Sequence, residues 1–323
     1  MAGNKGYLYT NGVISAISSK LLKKETFNKI IESTDLDNSI SLLNNTTFVN
    51  GKKINSIFDL NNLLKIEEFK INEFLKKECP ISEFVDYIDC INDYNNLNLF
   101  YKSILFKFNI NEKNIIEGKC SILKIKECLT LNNFDGLNSK YIKELFEKIS
   151  KIKNKQKDWV KIDYYFKSQC YKNLFNIVKN NKILLEILRN KIDFQNISLC
   201  LRVNNFDEFN NQFIENGILT LNFFENYFKS GKISVISKSN KVLDNLLKIL
   251  KLNDKEKFDV LNKECNLIEL KTLHNFNDNI ESPIPFLKYY YRKILEIKNL
   301  RMIFSLKSNN LNSKIKDRFL EEN

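Results

Sequence analysis

Residues Asp193-Phe194-Gln195-Asn196-Ile197 decide the reading of this chain, because it carries their skeleton three times. Asn96, Asn196 and Asn299 stand 100 and 103 residues apart. Three positions before each lies an acid (Asp93, Asp193, Glu296) and two before lies an apolar residue (Tyr94, Phe194, Ile297). An aliphatic side chain follows each Asn: Leu97, Ile197 and Leu300. Upstream, Phe84, Leu184 and Leu287 share one offset, and Ile88, Leu188 and Tyr291 another; downstream, Tyr101, Leu201 and Phe304 share a third. These offsets keep to one face of an α-helix, so every copy is predicted to bury the same stripe. Asn is a weak helix former, so three at equivalent interior sites are expected to bond to neighbouring backbone.

A second landmark supports that register. Ile116-Glu117-Gly118 follows Asn96 by twenty residues, and Ile214-Glu215 with Gly217 follows Asn196 by eighteen. Asn11 precedes Ile31-Glu32 by twenty as well. A period near 100 residues predicts three helical units, 1–110, 111–210 and 211–323, with the helix around Asn299 opening a unit that the chain does not complete. The competing explanation is coincidence in a chain with 48 asparagines among 323 residues, and the shared apolar offsets weigh against it.

Composition agrees with an all-α fold. Three prolines and eight glycines leave few places for turns, which favours long helices with short connections over a sandwich or barrel. Apolar residues recur at helical spacing through Ile54–Lys77, Ile81–Asn109, Trp159–Asn180 and Pro285–Lys307. Pro80 and Pro283 stand just before helix openings, with Ser82 and Ser282 as caps. The run Ile233-Ser234-Val235-Ile236 is short and follows Gly231, so it is read as an extended connection.

The formal charge is +12. Abundant Asn, Lys and Ile point to an A/T-rich genome, which inflates lysine, and the basic residues are spread through nearly every segment. A basic surface still prefers acidic partners. A basic helical-repeat module that binds nucleic acid or protein is therefore the alternative reading, favoured if Lys and Arg gather on one face. The run Lys148, Lys151, Lys153, Lys155 and Lys157 is read as an exposed linker. Seven cysteines without a C-x-x-C pattern are expected to be reduced thiols. No stretch near the N-terminus has the form of a signal peptide, and no run of ~18 uncharged apolar residues occurs.

Catalytic chemistry is missing. His274 is the only histidine, so imidazole triads and multi-histidine metal sites are excluded. Gly231-Lys232 lacks a phosphate loop, with Asn226 where the first glycine belongs and Ile233 where Ser or Thr belongs. Adjacent acids such as Glu67-Glu68 and Glu321-Glu322 do not face one another on a helix. No enzyme activity, cofactor or metal is expected.

The segment Pro283-Ile284-Pro285-Phe286-Leu287-Lys288-Tyr289-Tyr290, continued by Glu296-Ile297-Lys298-Asn299-Leu300-Arg301-Met302-Ile303, resembles the signature of the C subunits of V-type (A-type) ATP synthases. Gly6-Tyr7 with Ser19-Lys20-Leu21-Leu22 resembles that family's first helix, and Ile192–Ile197 with Leu201-Arg202 its middle signature. Where the family's first helix is rich in arginine, this chain has Asn11, Ser15 and Ser18. The resemblance implies a three-lobed, funnel-shaped helical protein around a pseudo-threefold axis. It also implies a non-catalytic rotor adaptor at the cytoplasmic face of the cell membrane, linking the central shaft to the proteolipid ring in ion transport. No nucleic acid and no direct membrane insertion are expected. Lys102 and Arg202 lie six residues after Asn96 and Asn196, so with Arg301 they are expected to form a polar partner-facing surface; solvated helix ends are the alternative.

Overall fold

The computed structural model describes residues 6–112, 115–137, 140–231, 241–252 and 254–322, without the side chains of 241 and 254–256. The regular structure among them is all helical. Five helices come first: α1 (Tyr7–Ser18), α2 (Lys24–Glu32), α3 (Leu36–Asn44), α4 (Ile57–Glu78) and α5 (Ser82–Phe106). Next are α6 (Ile122–Leu131), α7 (Lys140–Ser150), α8 (Trp159–Val178), α9 (Lys182–Cys200) and α10 (Phe206–Asn210). The last five are α11 (Leu221–Ser230), α12 (Lys241–Ile249), α13 (Asp254–Leu273), α14 (Ile284–Ser308) and α15 (Ile315–Arg318). The four long helices expected from apolar spacing are α4, α5, α8 and α14. The Ile233–Ile236 connection lies outside the described residues.

Asn, the composition's oddity, works at helix ends. Asn181 and Asn205 cap α9 and α10 by accepting from Leu184 N (3.1 Å) and Glu208 N (2.9 Å). Ser56, Ser121 and Thr220 do the same for α4, α6 and α11, each satisfying a backbone donor that the helix itself cannot. Asn132 ends α6 in the left-handed region at φ 50°, a conformation that its short polar side chain tolerates. Ser282 accepts from Ile284 N at 3.3 Å at the start of α14.

The chain divides into two compact units. Unit 1 comprises Met1–Ile81 and Leu252–Asn323, so it draws on both ends of the sequence. Within it α14 packs against α1, α3, α4 and α13. Leu300, Ile303 and Phe304 of α14 share a core with Leu60 and Leu64 of α4, Ile30 of α2 and Leu43 of α3, all essentially inaccessible to solvent. Each such side chain contributes ~1.5–3 kcal/mol by leaving water. Phe74 stacks on Phe286 with ring centroids 5.7 Å apart.

Unit 2, Ser82–Lys251, is organised around α8, which packs against α5, α7 and α9. Helices α5 and α8 run antiparallel: Tyr101 meets Phe166, Lys102 meets Asp163, and Gln156 just before α8 donates to Leu105 O. Phe146 sits between Phe134, stacked at 3.7 Å, and the edge of Phe166 at 5.9 Å. A second aromatic cluster joins α10 to α11, with Phe209 and Phe224 at 4.6 Å.

Candidate functional site

The three repeated Asn residues occupy three long helices, α5, α9 and α14, and each ties its helix to a distant stretch of backbone. Asn96 donates to Ile116 O at 3.0 Å. Asn196 donates to Ile214 O at 2.8 Å and accepts from Ile214 N at 3.0 Å. Asn299 makes the same pair with Leu320, donating at 2.8 Å and accepting at 3.0 Å. A side-chain amide holds N–H donors and a carbonyl acceptor in one plane, so it can satisfy both the C=O and the N–H of one residue.

The acid one turn earlier holds the segment that follows. Asp93 accepts from Lys119 N (3.3 Å) and Cys120 N (3.0 Å), immediately before α6. Asp193 accepts from Ile218 N (2.9 Å) and Leu219 N (3.0 Å), immediately before α11. In the third copy Glu296 accepts from Leu22 N at 2.6 Å, immediately before α2. That donor lies 274 residues back along the chain. The unit opened by α14 is thus completed, within unit 1, by the N-terminal segment. Asn11, which sequence spacing grouped with Ile31-Glu32, instead donates to Ile280 O (2.7 Å) and Ser282 O (2.8 Å). Its match in spacing is not a match in bonding.

Two glycines make the aspartate copies possible. A Cβ added at Gly118 would collide with Asp93 Oδ1 and Asp89 O, and one at Gly217 with Asp193 Oδ1. Glycine lets the backbone approach the carboxylate closely enough for two N–H bonds. Burial pushes the Asp193 carboxyl up to about 7, although Leu219 and Ile218 bond to it. Burial likewise raises Asp93 to about 6 against its bonds to Cys120 and Lys119. Glu296 has a different setting: Lys293 bridges it at 2.7 Å and Glu67 at 3.0 Å, over the ring of Phe48. Burial opposes the charge of Lys293, but Glu296 and Glu67 hold its pKa above the ordinary lysine value.

Of the residues expected at a partner surface, Lys102 and Arg202 line one cleft of about 610 Å³ within unit 2. Lys102 also pairs with Asp163 at 2.6 Å. Arg301 belongs to unit 1 and pairs with Glu68 at 2.9 Å. Sequence spacing could not reveal those two acids, which no repeat position marks. His274 contacts Glu322 at 2.8 Å, and Arg292 donates twice to the same carboxylate, so this cluster pins the segment that carries Leu320.

Among the described residues no cluster of three or more His, Cys, Asp or Glu side chains could hold a metal ion. Nor is any helix among them long and apolar enough to cross a membrane. Asp193, Asn196 and Asn299, polar groups that the fold buries, hold backbone together. These features define a class, an all-helical repeat-built scaffold whose internal chemistry is structural. The chain belongs to the ATP synthase (C/AC39) subunit family, whose model matches residues 10–318. The chain is also similar to a MATH and LRR domain-containing protein of Plasmodium falciparum (isolate 3D7), 24% identical over 198 residues. That stretch is 61% of this chain but 2% of the Plasmodium protein.

Proposed function

We propose that this chain is the non-catalytic adaptor of a rotary ATPase or ATP synthase rotor, joining the soluble central shaft to the proteolipid ring and passing torque between them. The family match over residues 10–318 carries this reading. Its place is peripheral, on the cytoplasmic face of the membrane. The anchors at Asn96, Asn196 and Asn299 suit such a part, because a torque-bearing body must not let its segments slide past its long helices. Lys102, Arg202 and Arg301 contribute to the polar surface that partners meet, with Arg202 the member to test first. Lys102→Glu and Arg301→Glu would each set a carboxylate against an existing one, at Asp163 and Glu68.

The test is co-purification of the tagged chain from its own membranes. Recovery of catalytic-head and proteolipid components together is the expected result, and a chain recovered without either would overturn the assignment. Arg202→Glu should weaken reassembly and make it more salt-sensitive while leaving the melting temperature of the isolated chain unchanged.

A further inference from the structure

The exposed end of the α5–α8 pair in unit 2 combines two features that rarely coincide on a surface facing only water. Ile104, Phe106 and Phe108 are 56%, 45% and 43% exposed, and Trp159 and Val160, which open α8, are 50% and 55% exposed. Single exposed apolar side chains need no explanation, but five at one helix-pair end do. The antiparallel pairing puts them together: Gln156 donates to Leu105 O at 3.1 Å, and Lys102 Nζ lies 5.9 Å from the Trp159 ring centroid. Around them the charge is positive. Lys107, Lys151, Lys153 and Lys157 are exposed, while Lys155 reaches the Tyr101 ring at 5.8 Å. Of the acids near it, Asp158 follows Lys157 directly, Asp163 is committed to Lys102 and Asn98, and Glu112 is paired with Lys126.

We propose that this end of unit 2 is a surface that lies against an anionic lipid bilayer. Aromatic rings with one polar edge settle at headgroup depth, and lysine stems lie along apolar surface while their amines reach outward. Protein interfaces favour arginine and are depleted in lysine, whereas Lys107, Lys151, Lys153, Lys155 and Lys157 around this patch outnumber Arg202, the arginine that lines the cleft with Trp159 and Val160. Lysines in excess over the acids among them fit the negative potential of anionic headgroups. The contact is interfacial and needs no spanning segment. It extends the rotor-adaptor reading by adding a lipid contact made by this chain itself, and its test uses the isolated chain, so either idea can fail without the other.

Trp159 is the only tryptophan, so tryptophan emission, excited where the tyrosines do not absorb, reports on this surface alone. Purified full-length chain is mixed with vesicles of phosphatidylglycerol and phosphatidylcholine, or of phosphatidylcholine alone. With the anionic vesicles, Trp159 emission should shift to the blue, be quenched by brominated acyl chains, and return on adding salt. Each lysine near the surface is worth roughly fivefold in partitioning. Combined Lys151→Glu, Lys153→Glu and Lys157→Glu should therefore weaken binding by more than ~10-fold. Phe106→Ser with Phe108→Ser should weaken it while keeping the salt dependence. All five side chains are exposed, and unchanged melting would confirm folding. Emission unmoved by either vesicle overturns the proposal. So does binding that neither variant weakens, or protection of Trp159 only when other components of the complex are present, which would make this a protein interface.

Discussion

The copy built on Asp193 and Asn196 and the copy built on Glu296 and Asn299 solve one problem with different means. In the first, a continuous chain leaves α9, turns back within 26 residues, and presents four backbone groups to two fully buried side chains. In the second, the bonded backbone comes from Leu320 on one side and Leu22 on the other. No glycine brings that backbone close, and the acid is longer by one methylene. A half-buried lysine pairs directly with Glu296, whereas Asp193 is bonded by backbone N–H donors and feels Arg189 as its least influence. A loop that returns locally can be held by a bare carboxylate against a glycine. A joint between distant segments uses reach and a counter-charge. The difference should be visible in how each copy responds to pH and to truncation of its side chains.

The largest expected effect is on pH dependence. The carboxyl of Asp193 rises from its ordinary value to about 7 on folding, so between roughly pH 4 and 7 the folded state binds more protons than the unfolded state. Stability should therefore be greatest on the acid side of this window and fall as pH rises through it, by up to ~1.4 kcal/mol per pH unit from this one group. Asp93 adds the same sign up to about pH 6. Urea melts at pH 5 and pH 8 should show this slope in the wild type and a flatter one in Asp193→Asn. Equal slopes would mean that Asp193 titrates like an ordinary carboxylate and that burial does not distinguish this copy.

Gly217→Ala comes next. The added methyl must displace the Asp193 carboxylate, which loosens the bonds to Ile218 and Leu219 and should cost ~1–3 kcal/mol. Gly118→Ala should behave alike, since its methyl meets backbone at Asp89 O. If both variants melt like the wild type, the segments before α6 and α11 are looser than their geometry implies.

Much of this was legible in the sequence. The acid and Asn recur because their bonding partners recur, and the apolar offsets expose the helix face that carries them. The four long helices end near their apolar boundaries for the same reason. What could not be read is the closure of the third copy. Alignment runs forward along the chain, whereas the Glu296 partner lies 274 residues upstream, at a leucine whose contribution is its backbone N–H. Any residue but proline offers that group, so side-chain identity at Leu22 carries no signal. Asn11 misled for the complementary reason, because in an Asn-rich chain a matching interval costs nothing. Short helices such as α3 and α10 stayed hidden, since nine and five residues span too few turns for a period. The ion pairs of Lys102 and Arg301 join residues 61 and 233 positions apart, which no local pattern encodes.

The smallest effect separates the two copies most directly. Asn196 and Asn299 each exchange two hydrogen bonds with the N–H and C=O of one residue, so the bonds themselves are equal in number and nearly equal in length. Their surroundings are not. Ile214 is buried and both its bonds to Asn196 are buried, so Asn196→Ala strands a donor and an acceptor where water cannot reach, at ~2 kcal/mol. Leu320 is half-exposed, so after Asn299→Ala its N–H and C=O can turn to solvent, and the loss should be ~1 kcal/mol. Hydrogen exchange gives a second readout. In the wild type the Leu320 and Leu22 amides should exchange faster than those of Ile214 and Leu219, because their residues are partly exposed and opening that joint does not require α9 to be stripped. Asn299→Ala should then speed exchange at Leu320 and leave Ile214 unchanged. If Asn299→Ala proves as costly as Asn196→Ala, the joint between distant segments is as firm as the local one, and the Arg292–Glu322–His274 cluster is what makes it so. Arg292→Ala, which leaves both Asn residues in place, would then restore the expected ranking.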